Sequence, residues 1–150
     1  MLLSEERWSS AQLPPARQLP GFQEVFDRTH FHWGLRAPGH SEYTAHVRRR
    51  ATHDFVFTQI YCDPVTGFRT VEDVKRDDEH YFCLLYFDEG ICRLRQGRNE
   101  TVVRPNTIAV WDSTRPAEFE NSETLDQYSI LIPHQMGHLL VPGIEDMCGL

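Results

Sequence analysis

His134 and His138 stand four residues apart in His134-Gln135-Met136-Gly137-His138. On a helix this spacing puts two imidazoles on one face, where zinc could bind. Hydrolysis at such a site needs a Glu directly after the first His as general base. Gln135 cannot take a proton, Gly137 weakens a helix, and no third ligand is in view. The segment reads as an ordinary short helix.

His30 and His32 flank Phe31 and would share one side of an extended segment. Metal sites on strands use that spacing but need a carboxylate or further His from neighbouring strands. Metal-binding cupins supply these in two glycine-bearing motifs, and neither motif is found here. His46, His53 and His80 fall at strand positions or edges, where a hydrogen-bonded structural His is common. No Gly-x-Ser-x-Gly elbow and no phosphate-binding glycine loop occurs. The pairs Glu72-Asp73 and Asp77-Asp78 lie in a charged stretch and read as solvated. These residues assemble no catalytic machine, so no enzyme, no metal and no cofactor is expected.

The chain has 150 residues, 40% of them hydrophobic, which is one domain with enough apolar material for a core. Its net charge of -7 argues against nucleic-acid binding by this chain alone, because phosphate neutralisation dominates such affinity. Arg48-Arg49-Arg50 is the one basic run and reads as a solvated strand face. No segment is apolar enough to span a membrane, and the N-terminus is too acidic for a signal peptide, so a cytoplasmic location is expected. Cys62, Cys83, Cys92 and Cys148 are expected as reduced core thiols.

The elements that must position any site are mostly strands. Short runs at 43–50, 54–61, 81–87, 91–96, 99–103, 107–111, 117–119 and 125–132 are separated by Gly, Pro and Asn turns. Residues 22–26 carry Phe22, Val25 and Phe26 at helical spacing. Pro14, Pro15 and Pro20 mark 1–20 as a loose arm. A Gly97-Arg98 hairpin loop sets Gln96 opposite Asn99, Leu94 opposite Thr101 and Cys92 opposite Val103. A two-residue turn at Glu89-Gly90 would pair the 81–87 run with the 91–96 run. Phe82, Leu84 and Tyr86 then point away from the interior as a second apolar face. The pattern predicts an all-β fold, an antiparallel sandwich or barrel with short flanking helices.

Gln96-Gly97-Arg98, Val103-Arg104-Pro105, the run from Ile108-Ala109-Val110-Trp111 through Asp112-Ser113-Thr114-Arg115-Pro116, and the last strand with Pro133 resemble one known family. It is the N-terminal cupin-like ligand-sensing domain of AraC/XylS-type transcription regulators. The resemblance covers about residues 20–142. Asn106-Thr107 departs from the Gly-Asp that often follows the turn there. The resemblance implies an all-β fold, a cupin-like antiparallel β-barrel of jelly-roll type with short flanking helices, in a non-catalytic domain that senses a small-molecule effector and forms a homodimer. DNA would be met only through a C-terminal helix-turn-helix region that this sequence does not include, and no membrane is involved. The alternative reading is a metal-dependent cupin-type enzyme using some of the eight histidines.

The expected organisation is an N-terminal arm at 1–20, the sensing domain at 21–142 and the start of a linker at 143–150. The expected effector pocket is apolar and aromatic. Tyr81, Leu85, Leu94 and Gln96 are placed inward by alternation. Phe57, Trp111 and Tyr128 are placed by strand position, and His46 is expected to orient the ligand by a hydrogen bond.

Overall fold

The computed structural model describes residues 2–39 and 42–150. Its strands are β1 (Ser4–Ser9), β2 (Gly34–Arg36), β3 (Ala45–Ala51), β4 (Val56–Cys62), β5 (Val65–Arg69), β6 (Tyr81–Glu89), β7 (Cys92–Gln96), β8 (Asn99–Val103), β9 (Ile108–Asp112), β10 (Ala117–Asn121) and β11 (Leu125–Pro133). The helices among the described residues are α1 (Pro15–Thr29), α2 (Val71–Arg76) and α3 (His134–Leu140), with 3-10 turns at Ser10–Gln12 and Ile144–Met147.

The strands form two antiparallel sheets. One has the order β1-β3-β4-β11-β6-β9 and the other β2-β5-β10-β7-β8. Neither sheet closes on itself, and the three helices belong to the architecture. The expected all-β jelly-roll barrel is therefore wrong: this is a mixed α/β fold with two open sheets. Part of the reason lies at Gly90. The chain leaves the first sheet at the end of β6 and enters the second at β7, so these strands do not pair as a hairpin. Gly90 has φ 91°, and a Cβ there would sit 2.5 Å from the Thr124 carbonyl oxygen. Glycine permits both the left-handed turn and the close crossing.

The rest of the reason is α1. Pro15 opens it at the first helical position, where its missing N–H costs nothing. Pro20 lies inside it, yet Leu19, Phe22, Val25 and Phe26 hold a helical period that buries one face. Phe22 packs against Trp8 and Tyr43, and Phe26 against Phe119, so the helix fills the side that the sheets leave open. Residues expected as an arm thus hold an edge strand, a 3-10 turn and the start of a helix. Strand β1 pairs with β3 from Ser4↔Ala51 to Ser9↔His46, and Glu5 meets Arg48 while Glu6 meets Arg28. At the other end, Ile144 and Cys148 are buried with Phe82 and Val110 in a small second core.

The β7–β8 register matches the sequence reading pair for pair, Gln96↔Asn99, Leu94↔Thr101 and Cys92↔Val103. On β6, Cys83, Leu85 and Phe87 face the main core while Tyr86 faces out. Phe82 also faces out of the main core but is fully buried, because the His134 ring stacks on it at 4.0 Å and Gly137 of α3 lies close against it.

Candidate functional site

Between the two sheets and α1 lies an internal cavity of about 50 Å³. Its walls are mainly aromatic. Trp33 makes edge-to-face contacts with Trp111 and Phe119, each at 5.1 Å between ring centroids. Phe31 stands perpendicular to Trp111 at 5.8 Å. Aliphatic cover comes from both sheets, with Ile60, Leu85 and Leu131 on one and Val65 and Leu94 on the other. Among the described residues no Asp, Glu, Lys or Arg lines it.

One wall is polar. The inward positions of β11 run Leu125, Gln127, Ser129, Leu131, and β4 sets Thr58 opposite Ser129. The hydroxyls of Thr58 and Ser129 are hydrogen-bonded. His30, the residue that ends α1, places Nε2 2.9 Å from Thr58 Oγ1 and Nδ1 2.7 Å from Thr29 Oγ1. Burial, helped by the charge of Arg49, pushes the His30 pKa down to about 3, so the ring is neutral. The Gln127 side-chain amide lines the cavity and makes no hydrogen bond among the described residues.

Segment 30–33, which supplies His30, Phe31 and Trp33 to the lining, is clamped by charge. Arg69, its side chain wholly buried, donates to Asp77 Oδ2 at 2.6 Å, to the His32 carbonyl at 2.8 Å and to the Ser113 carbonyl at 2.6 Å. Asp77 also accepts from the His32 backbone N–H and meets its ring at 2.7 Å. A capping box, Thr70 with Asp73, fixes the start of α2, and Asp77 ends it, which aims the carboxylate at Arg69. Burial raises the Asp77 pKa, but the His32 N–H, Arg69 and the His32 ring outweigh it, and the carboxyl titrates below its ordinary value. The clamp holds Phe31 at φ 75°, a left-handed conformation that costs a bulky residue about 1–2 kcal/mol.

Of the eight residues expected to bind ligand, Leu85, Leu94 and Trp111 line the cavity. Tyr81 does not line it but packs behind the lining residue Phe31, at 5.8 Å between ring centroids. Gln96 is buried away from the cavity. Its amide donates to the Asp112, Arg115 and Pro116 carbonyls, and its carbonyl accepts the Asp112 N–H at 2.7 Å. His46, Phe57 and Tyr128 occupy outward positions, because Ala45, Val47, Thr58, Ile60 and Ser129 take the inward ones. Tyr128 instead accepts from Gln59 on the outer face. His30, Thr58, Gln127 and Ser129 were missed. The signal was a polar pair inside the apolar period Leu125-x-Gln127-x-Ser129-x-Leu131.

The His134 ring lies 5.3 Å from His138 and 6.4 Å from His80 between centroids, around Phe82, while the other described histidines stand apart from this group. His30 is tied to threonines, His32 to Asp77, His134 to Asp112 and His138 to Glu145, while His40 lies outside the described residues. No group of three or more His, Cys, Asp or Glu able to hold a metal occurs among the described residues. The four cysteines are unpaired and buried, and burial pushes the thiols of Cys62, Cys92 and Cys148 up to about 12, far from thiolate chemistry. No helix among the described residues is long and apolar enough to cross a membrane.

Two antiparallel sheets and a helix lie around an aromatic space with one polar wall. The chain belongs to the AraC-binding-like domain family, whose profile matches residues 22–148. The AraC-like transcriptional activator CuxR has the same fold, with a TM-score of 0.75, 14% identity and coverage of 89% of this chain. This chain spans about half of that structure, 48% of its length. The ethanolamine utilization protein EutQ from Salmonella typhimurium is a more distant likeness, at TM-score 0.48 and 11% identity over 60% of this chain and 70% of that one. No curated protein matches the chain.

Proposed function

We propose that this domain senses a small-molecule effector, held in the cavity between the sheets, on behalf of a transcription regulator acting in the cytoplasm. The observation that carries the reading is the enclosed aromatic cavity with one polar wall, inside a domain of the AraC-binding-like family. Residues 21–142 form the sensing unit, and Leu85, Leu94, Trp111 and Tyr81 contribute to the ligand site from among the residues read in the sequence. DNA contact falls to a helix-turn-helix region outside this chain.

The domain self-associates through the outer face of the six-stranded sheet. There Tyr86 pairs with Tyr128 and Leu84 with Ile130, and Tyr86, Tyr128, Ile130 and the neighbouring Ile108 are all exposed. An apolar patch of this kind favours burial against a second copy.

The test uses the three tryptophans. Trp33 and Trp111 line the cavity and Trp8 does not. A ligand in the cavity shifts the indole N–H signals of Trp33 and Trp111 and leaves Trp8 in place. At a hundredfold excess over Kd it also stabilises the fold by about 2.7 kcal/mol. A stabilising compound that moves only Trp8, or no indole, places the effector elsewhere.

A further inference from the structure

Hydroxyl groups carry one hydrogen each, and this fixes the direction of the hydrogen-bond chain that ends at the cavity wall. The chain begins at Thr29, whose hydroxyl donates to the Val25 carbonyl at 2.8 Å. That hydrogen is then spent, so Thr29 Oγ1 can only accept from His30 Nδ1. A neutral imidazole with its proton on Nδ1 has a bare Nε2. Nε2 therefore accepts from the Thr58 hydroxyl. Thr58 in turn accepts from Ser129. Every bond points the same way, and the last oxygen, Ser129 Oγ, lines the cavity with its hydrogen already committed. It offers lone pairs and nothing else.

Two residues along the same face of β11, the Gln127 amide is free to donate or accept. Among the described residues no cation lines the space, and His30 is neutral. A carboxylate or phosphate would meet an acceptor and lose its water without compensation. The free volume of about 50 Å³ falls short of the roughly 150 Å³ that takes up benzene, so even a single ring enters only by displacing side chains, and a larger guest has to displace more.

We infer that the effector is an uncharged single-ring aromatic compound bearing a hydrogen-bond donor, of the phenol or aryl N–H class, which donates to Ser129 Oγ and pairs with Gln127. This rests on the effector-holding reading of the cavity and narrows it to a chemical class.

The experiment titrates the 150-residue chain with phenol, anisole, toluene and benzoate, following the Trp33 and Trp111 indole signals. Phenol is expected to bind about tenfold more tightly than anisole, the value of one well-made hydrogen bond, and benzoate not at all. Ser129→Ala should bring phenol and anisole to within about threefold of each other without weakening toluene. Nitrogen NMR of His30 tests the chain without any variant, and the proton is expected on Nδ1. Anisole or toluene matching phenol, or benzoate binding best, overturns the donor class while keeping the cavity as a ligand site. A proton on Nε2 reverses the chain, turns Ser129 into a donor and overturns it too. If none of the four probes moves either indole, the effector-holding reading itself fails and this inference falls with it.

Discussion

Asp77→Ala is expected to destabilise the domain by about 3–5 kcal/mol, because it strands a guanidinium that has no route to water. The Arg69 side chain is wholly buried, and Asp77 is its one carboxylate partner among the described residues. The remaining acceptors on Arg69 are the neutral carbonyls of His32 and Ser113, which cannot balance its charge. The loss also frees the His32 backbone N–H, so segment 30–33 loses its tether and Phe31 its reason to stay left-handed. Urea denaturation reads the effect directly, and a thermal midpoint lower by about 10 °C goes with it. The pH dependence has a definite sign. The folded Asp77 pKa lies below its ordinary value, so the contribution is complete above the unfolded pKa and fades as pH falls through the folded one. The variant and parent should therefore converge in strong acid. A loss under 1 kcal/mol at neutral pH would mean that water reaches Arg69.

Gln96→Met is the second large effect, at about 3–5 kcal/mol, and it should leave ligand affinity unchanged. Methionine keeps the shape and removes the amide. The Asp112 N–H then loses its buried partner, at roughly 1–3 kcal/mol, and the Asp112, Arg115 and Pro116 carbonyls together lose the two hydrogens of one amide, with the Asp112 carbonyl keeping the Arg115 N–H. Those groups tie the end of β7 to the end of β9 and to the turn at Arg115-Pro116. Trp111 adjoins Asp112, so the cavity wall is held by Gln96 without being touched by it. Equilibrium unfolding and a phenol titration on the same variant separate support from contact. A variant of near-parent stability that has lost phenol binding would make Gln96 a ligand contact after all.

Much of the second sheet could be read in the sequence because its turns are local. Gly97-Arg98 fixes the β7–β8 register, and alternation then assigns the faces. The same arithmetic failed one turn earlier. Glu89-Gly90 looks like a hairpin turn, but here it carries the chain from one sheet to the other, and nothing local distinguishes the two uses. Strand β1 was hidden for a different reason. Ser-Glu-Glu-Arg-Trp-Ser has no apolar alternation because an edge strand pairs its charges instead, Glu5 with Arg48, across a long sequence gap. Helix α1 was shortened by Pro20, a breaker that tertiary burial of Phe22, Val25 and Phe26 overrides. In the site, aromatic content pointed to a cavity but not to its polar wall. Thr58 and Ser129 become one feature only when β4 and β11 lie side by side.

The void between the sheets also makes volume a variable of this protein. About 50 Å³ per molecule is on the order of 30 mL per mole of space that unfolding fills with water. Hydrostatic pressure therefore works against the folded domain. If an effector fills this space as proposed, compression and effector act as opponents on it, and the bound domain would withstand pressures that collapse the empty one.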